Sequence, residues 1–518
     1  MHRRWGILGV AAAVSALAAC SGPAFPPGSA YASHVAAGAN GDDLAKPPVA
    51  VTRAPSTADS VLTDTAAGPL TAGFARTLFT AAPVVVVSGT ATAALTAAEQ
   101  AARAAHAPLL LAAQSSPQAI AALAASAKAL RPVAVLTEGL PAAEAKALAK
   151  RLPGVKFVGR AAALPATRVP APLSHVAVLV PAHPGKQGAP VAAVTATAEA
   201  AGAAVVGVAG TDPRADPAAV TTLARLRPDA VVAVGAQFGP AARLASRISV
   251  AETGRQLPGG GQVLFPGRRL VAMYGHPGTP GLGVLGQQDL AASITRARHL
   301  AAEYQPLSSV PVVPAFEIIA TVAEASPGPD GTYSYETPVS ELLPWVRQAT
   351  ADGLYVVLDL QPGRASLLSQ AEHYQSLLAL PDVGLALDAE WKLQPGQNPL
   401  RQIGHVDIGE VNSVVSWLAT LTAQHHLPQK LLVLHQFQLA MLSGEQHLDT
   451  SRDDLAIVIH MDGQGTPGVK QGTWDAVTAA APPKVSFGWK NFLVKDHPML
   501  TPSETMTKTP APVMISYQ

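Results

Sequence analysis

From about Thr80 onward, short apolar runs rich in β-branched residues alternate with Ala-rich runs of helical character. The runs are continuously apolar rather than apolar on every second residue. Such strands need cover on both faces, and parallel sheets gain that cover from the helices that connect their strands. The alternation therefore restricts the chain to an α/β architecture built on parallel sheets.

Two stretches carry the pattern. In the first, Pro83-Val84-Val85-Val86-Val87-Ser88-Gly89, Ala107-Pro108-Leu109-Leu110-Leu111 and Pro132-Val133-Ala134-Val135-Leu136 read as strands separated by helices over 91–106 and 116–130. A second unit follows with strands at Val176–Val180, Ala204–Val208 and Asp229–Gly235. The units cover about 80–160 and 170–250 within a region 76–258. Gly259-Gly260-Gly261 then marks a boundary. Beyond it, over 262–518, eight strand candidates appear: Leu270–Tyr274, Val310–Phe316, Leu354–Asp359, Val383–Asp388, Leu431–His435, Leu455–Met461, Val485–Trp489 and Val513–Tyr517. Helices are expected between them over 287–304, 339–351, 365–378, 409–426, 436–444 and 473–480. Eight strands in about 250 residues match the size of a (β/α)8 TIM-like barrel. A doubly wound open sheet is the alternative.

Ahead of these regions, His2-Arg3-Arg4 is followed by an apolar run from Gly6 to Ala19, then Leu17-Ala18-Ala19-Cys20-Ser21. A basic head, a short apolar stretch and small residues before a cut read as a signal peptide over 1–20. Cys20 is the only cysteine of the chain. The run Leu-small-small-Cys resembles the bacterial lipobox, which implies lipid attachment at Cys20 and an extracytoplasmic, membrane-anchored protein. Residues 21–75 are rich in Pro, Ala, Gly, Ser and Thr, without sustained periodicity, and read as a flexible linker. Lys+Arg number 36 against 35 Asp+Glu, a formal net charge of +1. That balance argues against nucleic acid as a main partner.

The order strand–Ser-Gly, helix, Ala-Pro-Leu-Leu-Leu, helix, Val-Ala-Val-Leu over Val84–Val158 resembles the cell-wall-binding repeat 2 family. The resemblance implies a module that holds wall polymers. Arg227-Pro228-Asp229-Ala230-Val231-Val232 also resembles a lobe of the periplasmic binding protein superfamily. No Gly-x-Gly-x-x-Gly follows a first strand, so no dinucleotide site is expected. His183-Pro184-Gly185-Lys186 lacks the phosphate-loop pattern and reads as a surface loop.

In a barrel the C-terminal strand ends form the active-site face. Here the strand ends read Tyr274-Gly275-His276, Phe316-Glu317, Leu358-Asp359, Asp388-Ala389-Glu390-Trp391, His435-Gln436, His460-Met461-Asp462, Trp489-Lys490 and Ser516-Tyr517. Charged residues make up only 14% of the chain, so this concentration marks a candidate pocket. Asp388 and Glu390, read as i and i+2 of one strand, would face one side about 6.5–7 Å apart. Two such carboxyls suit glycosidic cleavage, which needs a proton donor and a second carboxylate. Glu317 and Asp359 are candidates for that second group. Tyr274, Trp489 and Tyr517 are candidates for sugar stacking, and His276, His435, Asp462 and Lys490 for substrate contact. A metal site from His276, His435, His460, Asp388, Glu390 and Asp462 has no supporting local spacing, and no Gly-x-Ser-x-Gly elbow supports a serine nucleophile. No cofactor is expected.

Val-Gly-Leu-Ala-Leu-Asp-Ala-Glu-Trp (383–391) resembles the Asp-x-Glu strand of glycoside hydrolase family 25, and the Asp-x-Glu ending of the family 18 signature. By that resemblance Glu390 is the general acid, Asp388 orients or stabilises the reacting group, and Trp391 is a sugar platform. The implied function is hydrolysis of cell-wall polysaccharide or peptidoglycan. A non-catalytic wall-polymer or solute-binding lipoprotein, and a metal-dependent deacetylase or isomerase, are the alternatives.

Overall fold

Continuous apolar strands do assemble into parallel sheets. The computed structural model describes residues 46–182 and 188–518. The signal peptide, Cys20 and the loop His183–Lys186 lie outside the described residues.

The first region contains two four-stranded parallel sheets. One runs Leu109–Leu111, Val84–Ser88, Ala134–Glu138, Lys156–Val158. The other runs Asp59–Leu62, Ala230–Val234, Val176–Pro181, Ala204–Val208. In each unit the chain's first strand lies between its second and third. The fourth position differs. The first sheet fills it with its own next strand, while the second takes Asp59–Leu62 from ahead of both units. Val85, Val87, Val178, Val180 and Val232 join Phe74 in one apolar cluster, so the two sheets share a core. Thr197, on the helix Ala189–Ala200 of the second unit, accepts a hydrogen bond from Leu109 N of the first at 3.0 Å.

The linker expected over 21–75 needs correction within its described part. Val51–Thr52 pairs antiparallel with Phe79–Ala81, Asp59–Leu62 is the sheet strand just named, and Ala67–Leu78 is a helix. The Pro/Ala/Gly/Thr background obscured a stripe of Leu70, Phe74 and Leu78, spaced four apart, which buries one helix face.

All eight strand candidates of the second region form a closed, all-parallel barrel ringed by helices. In chain order the strands are Arg269–Gly275, Val312–Ala323, Tyr355–Leu360, Val383–Asp388, Lys430–Gln436, Leu455–Met461, Ser486–Asn491 and Met514–Tyr517. Closure comes from the first strand, which pairs with both the second and the eighth. That double pairing excludes the open sheet. Ser334–Glu336 adds a short antiparallel strand to the second. The helix expected over 436–444 is absent. A 3-10 turn, Leu439–Met441, and the two-residue strand Leu442–Ser443 occupy that stretch.

Leu270, Ala315, Val357, Ala386, Val433 and Val458 pack within one apolar cluster of the barrel. The first region is tied to the barrel by Arg247, which pairs with Asp453 at 2.8 Å, and by Arg214, which donates to the Asp453 carbonyl at 3.3 Å. Gln262, just past the boundary, donates its N–H to Arg214 O at 2.6 Å and accepts from Gln429 N at 2.8 Å. Gln429 and Asp453 precede the fifth and sixth barrel strands, so these ties lie at the N-terminal end of the barrel, opposite the strand ends that carry the acids.

Candidate active site

Each of the eight barrel strands places a polar side chain in one buried network near the C-terminal strand ends. Strand register brings them level: Tyr274 lies beside Glu317, Asp388 beside His435, His435 beside His460, and Lys490 beside Ser516. His435 is the hub. Its Nε2 lies 3.0 Å from Glu317 Oε1 and its Nδ1 lies 2.8 Å from Asp462 Oδ2. Lys490 Nζ donates to Asp462 at 3.2 Å and sits 3.6 Å from the centroid of the Tyr274 ring. Tyr274 OH donates to Asp359 Oδ2 at 2.8 Å and accepts from Gln361 Nε2 at 3.2 Å. His460 Nε2 lies 2.7 Å from Ser516 Oγ.

Burial and pairing divide these groups electrostatically. Burial opposes charge on Glu317, but His435 outweighs it and holds the carboxyl below its ordinary range. Burial likewise opposes charge on Asp462, and Lys490 and His435 depress it strongly. In return, Glu317 and Asp462 override burial and raise His435 well above the ordinary histidine value. Lys490 is also raised despite burial, chiefly by Asp462. Two ionised acids thus face two cations, which compensates charges that an apolar interior would reject. The other members go the opposite way. Burial lifts Asp359 to about 6. Burial and Asp359 together push Asp388 well above the carboxylate range. Burial pulls His460 down to about 3. One lumen therefore holds acids that give up their protons readily beside acids that keep them.

Glu390 sits apart from the network. The fourth strand ends at Asp388, and Ala389–Trp391 forms a single 3-10 turn in which Asp388 Oδ1 accepts from Glu390 N at 3.2 Å. The expected same-strand pairing of Asp388 with Glu390 is thereby corrected, because the chain leaves the extended conformation between them. Asp388 is buried in the lumen, while Glu390 is half-buried and lines a cavity of about 380 Å³. Trp391, Tyr333, Arg401 and Gln402 line the same cavity. Burial, then the Asp462 charge, raises the proton affinity of Glu390.

The loop that follows forms one wall of this cavity. Gly404 N donates to Glu390 O at 2.7 Å, and a Cβ at Gly404 would lie 2.5 Å from that oxygen, so only glycine permits the approach. Tyr333 and Leu400, both lining the cavity, hold left-handed backbone at φ 58° and 59°. A non-glycine residue there costs on the order of 1–3 kcal/mol, and such outliers concentrate at binding sites. Arg364 lies 4.5 Å from the centroid of the Tyr333 ring.

The sequence-derived residues fall into three groups. Tyr274, Glu317, Asp359, Asp388, His435, Asp462 and Lys490 meet in the buried network. Glu390 and Trp391 line the cavity. The third group lies elsewhere. Trp489 is fully buried among Trp474, Met461 and Leu500, with Nε1 donating to Asn491 at 2.9 Å. Tyr517 is buried and its hydroxyl lies 2.7 Å from that of Tyr304 on the helix Leu290–Tyr304. Both expectations of sugar stacking are corrected. Strand parity explains them, because Lys490 and Ser516 face the lumen and their neighbours Trp489 and Tyr517 face the helix layer. Burial equally corrects the expectation of sugar stacking for Tyr274, whose ring face Lys490 covers, and of substrate contact for His435 and Lys490. His276 is half-buried between Thr279 and Thr337, at 3.2 and 3.1 Å, outside the network. Gln361, Ser516, Tyr333 and Arg401 were not singled out from sequence. Ser516 could have been, by parity with Lys490, whereas Tyr333 and Arg401 lie in loops without periodicity.

Among the described residues, no group of three His, Asp or Glu side chains is arranged to hold a metal ion. Comparison with protein-family models, with curated proteins and with solved structures returns no match.

Proposed function

We propose that this chain is a lipid-anchored, extracytoplasmic glycoside hydrolase that acts on cell-wall glycan. One observation carries the reading: a carboxyl of raised proton affinity, Glu390, lines a cavity with Trp391 and Tyr333, just beyond the fourth strand of a TIM-like barrel. A general acid must hold its proton near working pH and release it to the leaving group. In this mechanism Glu390 protonates the glycosidic oxygen as the C–O bond breaks. Water then adds to the anomeric carbon and its proton returns to Glu390. Asp388 lies beneath the cavity and acts through Glu390, accepting from Glu390 N and so positioning the acid. Trp391 and Tyr333 offer faces for the sugar rings. The network centred on His435 holds the lumen in one arrangement beneath Asp388. The lipid at Cys20 holds the enzyme at the membrane, and the two-sheet region holds the polymer, so the catalytic region works at a high local substrate concentration.

A second reading has its own observation. Glu317, Asp359 and Asp388 are 0–2% exposed, which leaves Glu390 as the one acid lining the cavity among the described residues. A wall-glycan-binding lipoprotein without turnover accounts for that burial.

The two readings separate on release of reducing ends from purified cell-wall glycan by the lipidated chain. The hydrolase reading predicts turnover that falls roughly 10²–10⁴-fold in Glu390→Gln, with glycan binding kept. Binding without turnover in the unsubstituted protein establishes the second reading instead. Cys20→Ser should release the chain from the membrane fraction.

A further inference from the structure

Besides Glu390, the cavity is lined by one other ionisable group that carries charge at neutral pH, Arg401. Arg401 is exposed and, among the described residues, forms neither an ion pair nor a side-chain hydrogen bond. The arginine beside the cavity-lining Tyr333 is engaged. Arg364 stacks on Tyr333 and donates to the Gln397 carbonyl at 2.7 Å. Nor does Glu390 neutralise Arg401, since no ion pair joins them and burial biases Glu390 toward its protonated form. Arg401 follows Leu400, whose backbone is left-handed at φ 59°. The cavity thus offers aromatic faces, a proton donor and an unused guanidinium.

A guanidinium presents a planar fork of donors that matches a carboxylate in two-point contact. We propose that Arg401 selects glycans bearing a carboxylate on, or next to, the sugar whose bond lies beside Glu390. This inference rests on the hydrolase reading for the role of the site, but its test is a binding measurement and does not depend on turnover. Two kinds of sugar carry this chemistry: a uronic acid, with the carboxylate on the ring carbon chain, and an amino sugar bearing a lactyl ether.

The test is isothermal titration of the full chain, and of Glu390→Gln as a form silenced for turnover, with four probes. These are a uronic-acid oligosaccharide, a lactyl-ether amino-sugar oligosaccharide, and the carboxyl-reduced form of each. A charge-assisted contact predicts that at least one carboxylated probe binds roughly tenfold to a hundredfold more tightly than its reduced partner. The arm that shows the preference identifies the source of the carboxylate. Arg401→Ala should abolish the preference, bringing the affinity for the carboxylated probe to that for its reduced partner. Arg401→Lys should restore part of it, because a lysine keeps the charge without the fork. Equal binding of carboxylated and reduced probes, a preference that survives Arg401→Ala, or no binding of any probe overturns the proposal. Failure of the hydrolase reading shows separately, as absent turnover or as turnover indifferent to Glu390→Gln.

Discussion

The two-sheet region and the barrel are built from the same alternation of apolar strand and helix, yet they treat charge in opposite ways. In the sheets the strands end in Ser88, Leu111, Glu138, Val158, Leu62, Val234, Pro181 and Val208, and Glu138 is the one charged group among them. Their buried polar side chains are three hydroxyls, Thr71, Ser88 and Thr197, and a single charged group, Arg214, which is paired with Asp212 where the region meets the barrel. In the barrel, Glu317, Asp359, Asp388, His435, His460, Asp462 and Lys490 are all buried. Burying such charges costs more than burying the alkyl chains that would fill the same space. A fold that needed only stability could fill a lumen as the lower barrel does, with Leu, Val and Ala. The difference teaches that the upper lumen concentrates buried charge in a way that the strand ends of the sheets do not.

The largest expected effect sharpens that contrast. His435→Leu leaves Glu317 and Asp462 buried without their shared partner, and should cost about 3–5 kcal/mol of unfolding free energy in a denaturant titration. A smaller effect is expected in the sheets. Thr197→Val strands the buried Leu109 N–H and should cost about 1–3 kcal/mol by the same measurement. If Thr197→Val proves the more damaging, the contrast between the regions breaks.

A third effect lies in pH dependence. Asp359 binds its proton more tightly in the folded chain, at about 6 against an ordinary 3.8. The folded state then holds more protons than the unfolded one across that window, so this group's contribution to stability falls as pH rises from 3.8 to about 6. Asp359→Asn should remove that slope, which thermal unfolding at a series of pH values can read. Below the window, the depressed carboxyls of Glu317 and Asp462 act in the other direction, losing stability as pH falls.

Much of the barrel was legible in the chain because its strands are long, apolar and bounded by polar ends. The lumen residues were legible for the same reason, as each lies where an apolar run gives way to polar residues. Three things were hidden. The strand Asp59–Leu62 lies in a stretch of linker-like composition, and it is ordered by a sheet whose other strands begin more than a hundred residues later. Trp489 and Tyr517 end their strands on the side facing the helices, which position at a strand end does not reveal without parity. The turn at Ala389–Trp391 separated Asp388 from Glu390 where an extended strand was assumed, and no residue in that run announces the break. Arg401 and Tyr333 reach the cavity through loop geometry, which tertiary packing decides.

The most direct test is a crystal structure of Glu390→Gln with a wall-glycan oligosaccharide bound. The account predicts a sugar seated against Trp391 and Tyr333, with a glycosidic oxygen about 2.6–3.2 Å from the substituted side chain. An oligosaccharide bound away from that cavity, or one whose glycosidic oxygens all lie beyond reach of position 390, contradicts it.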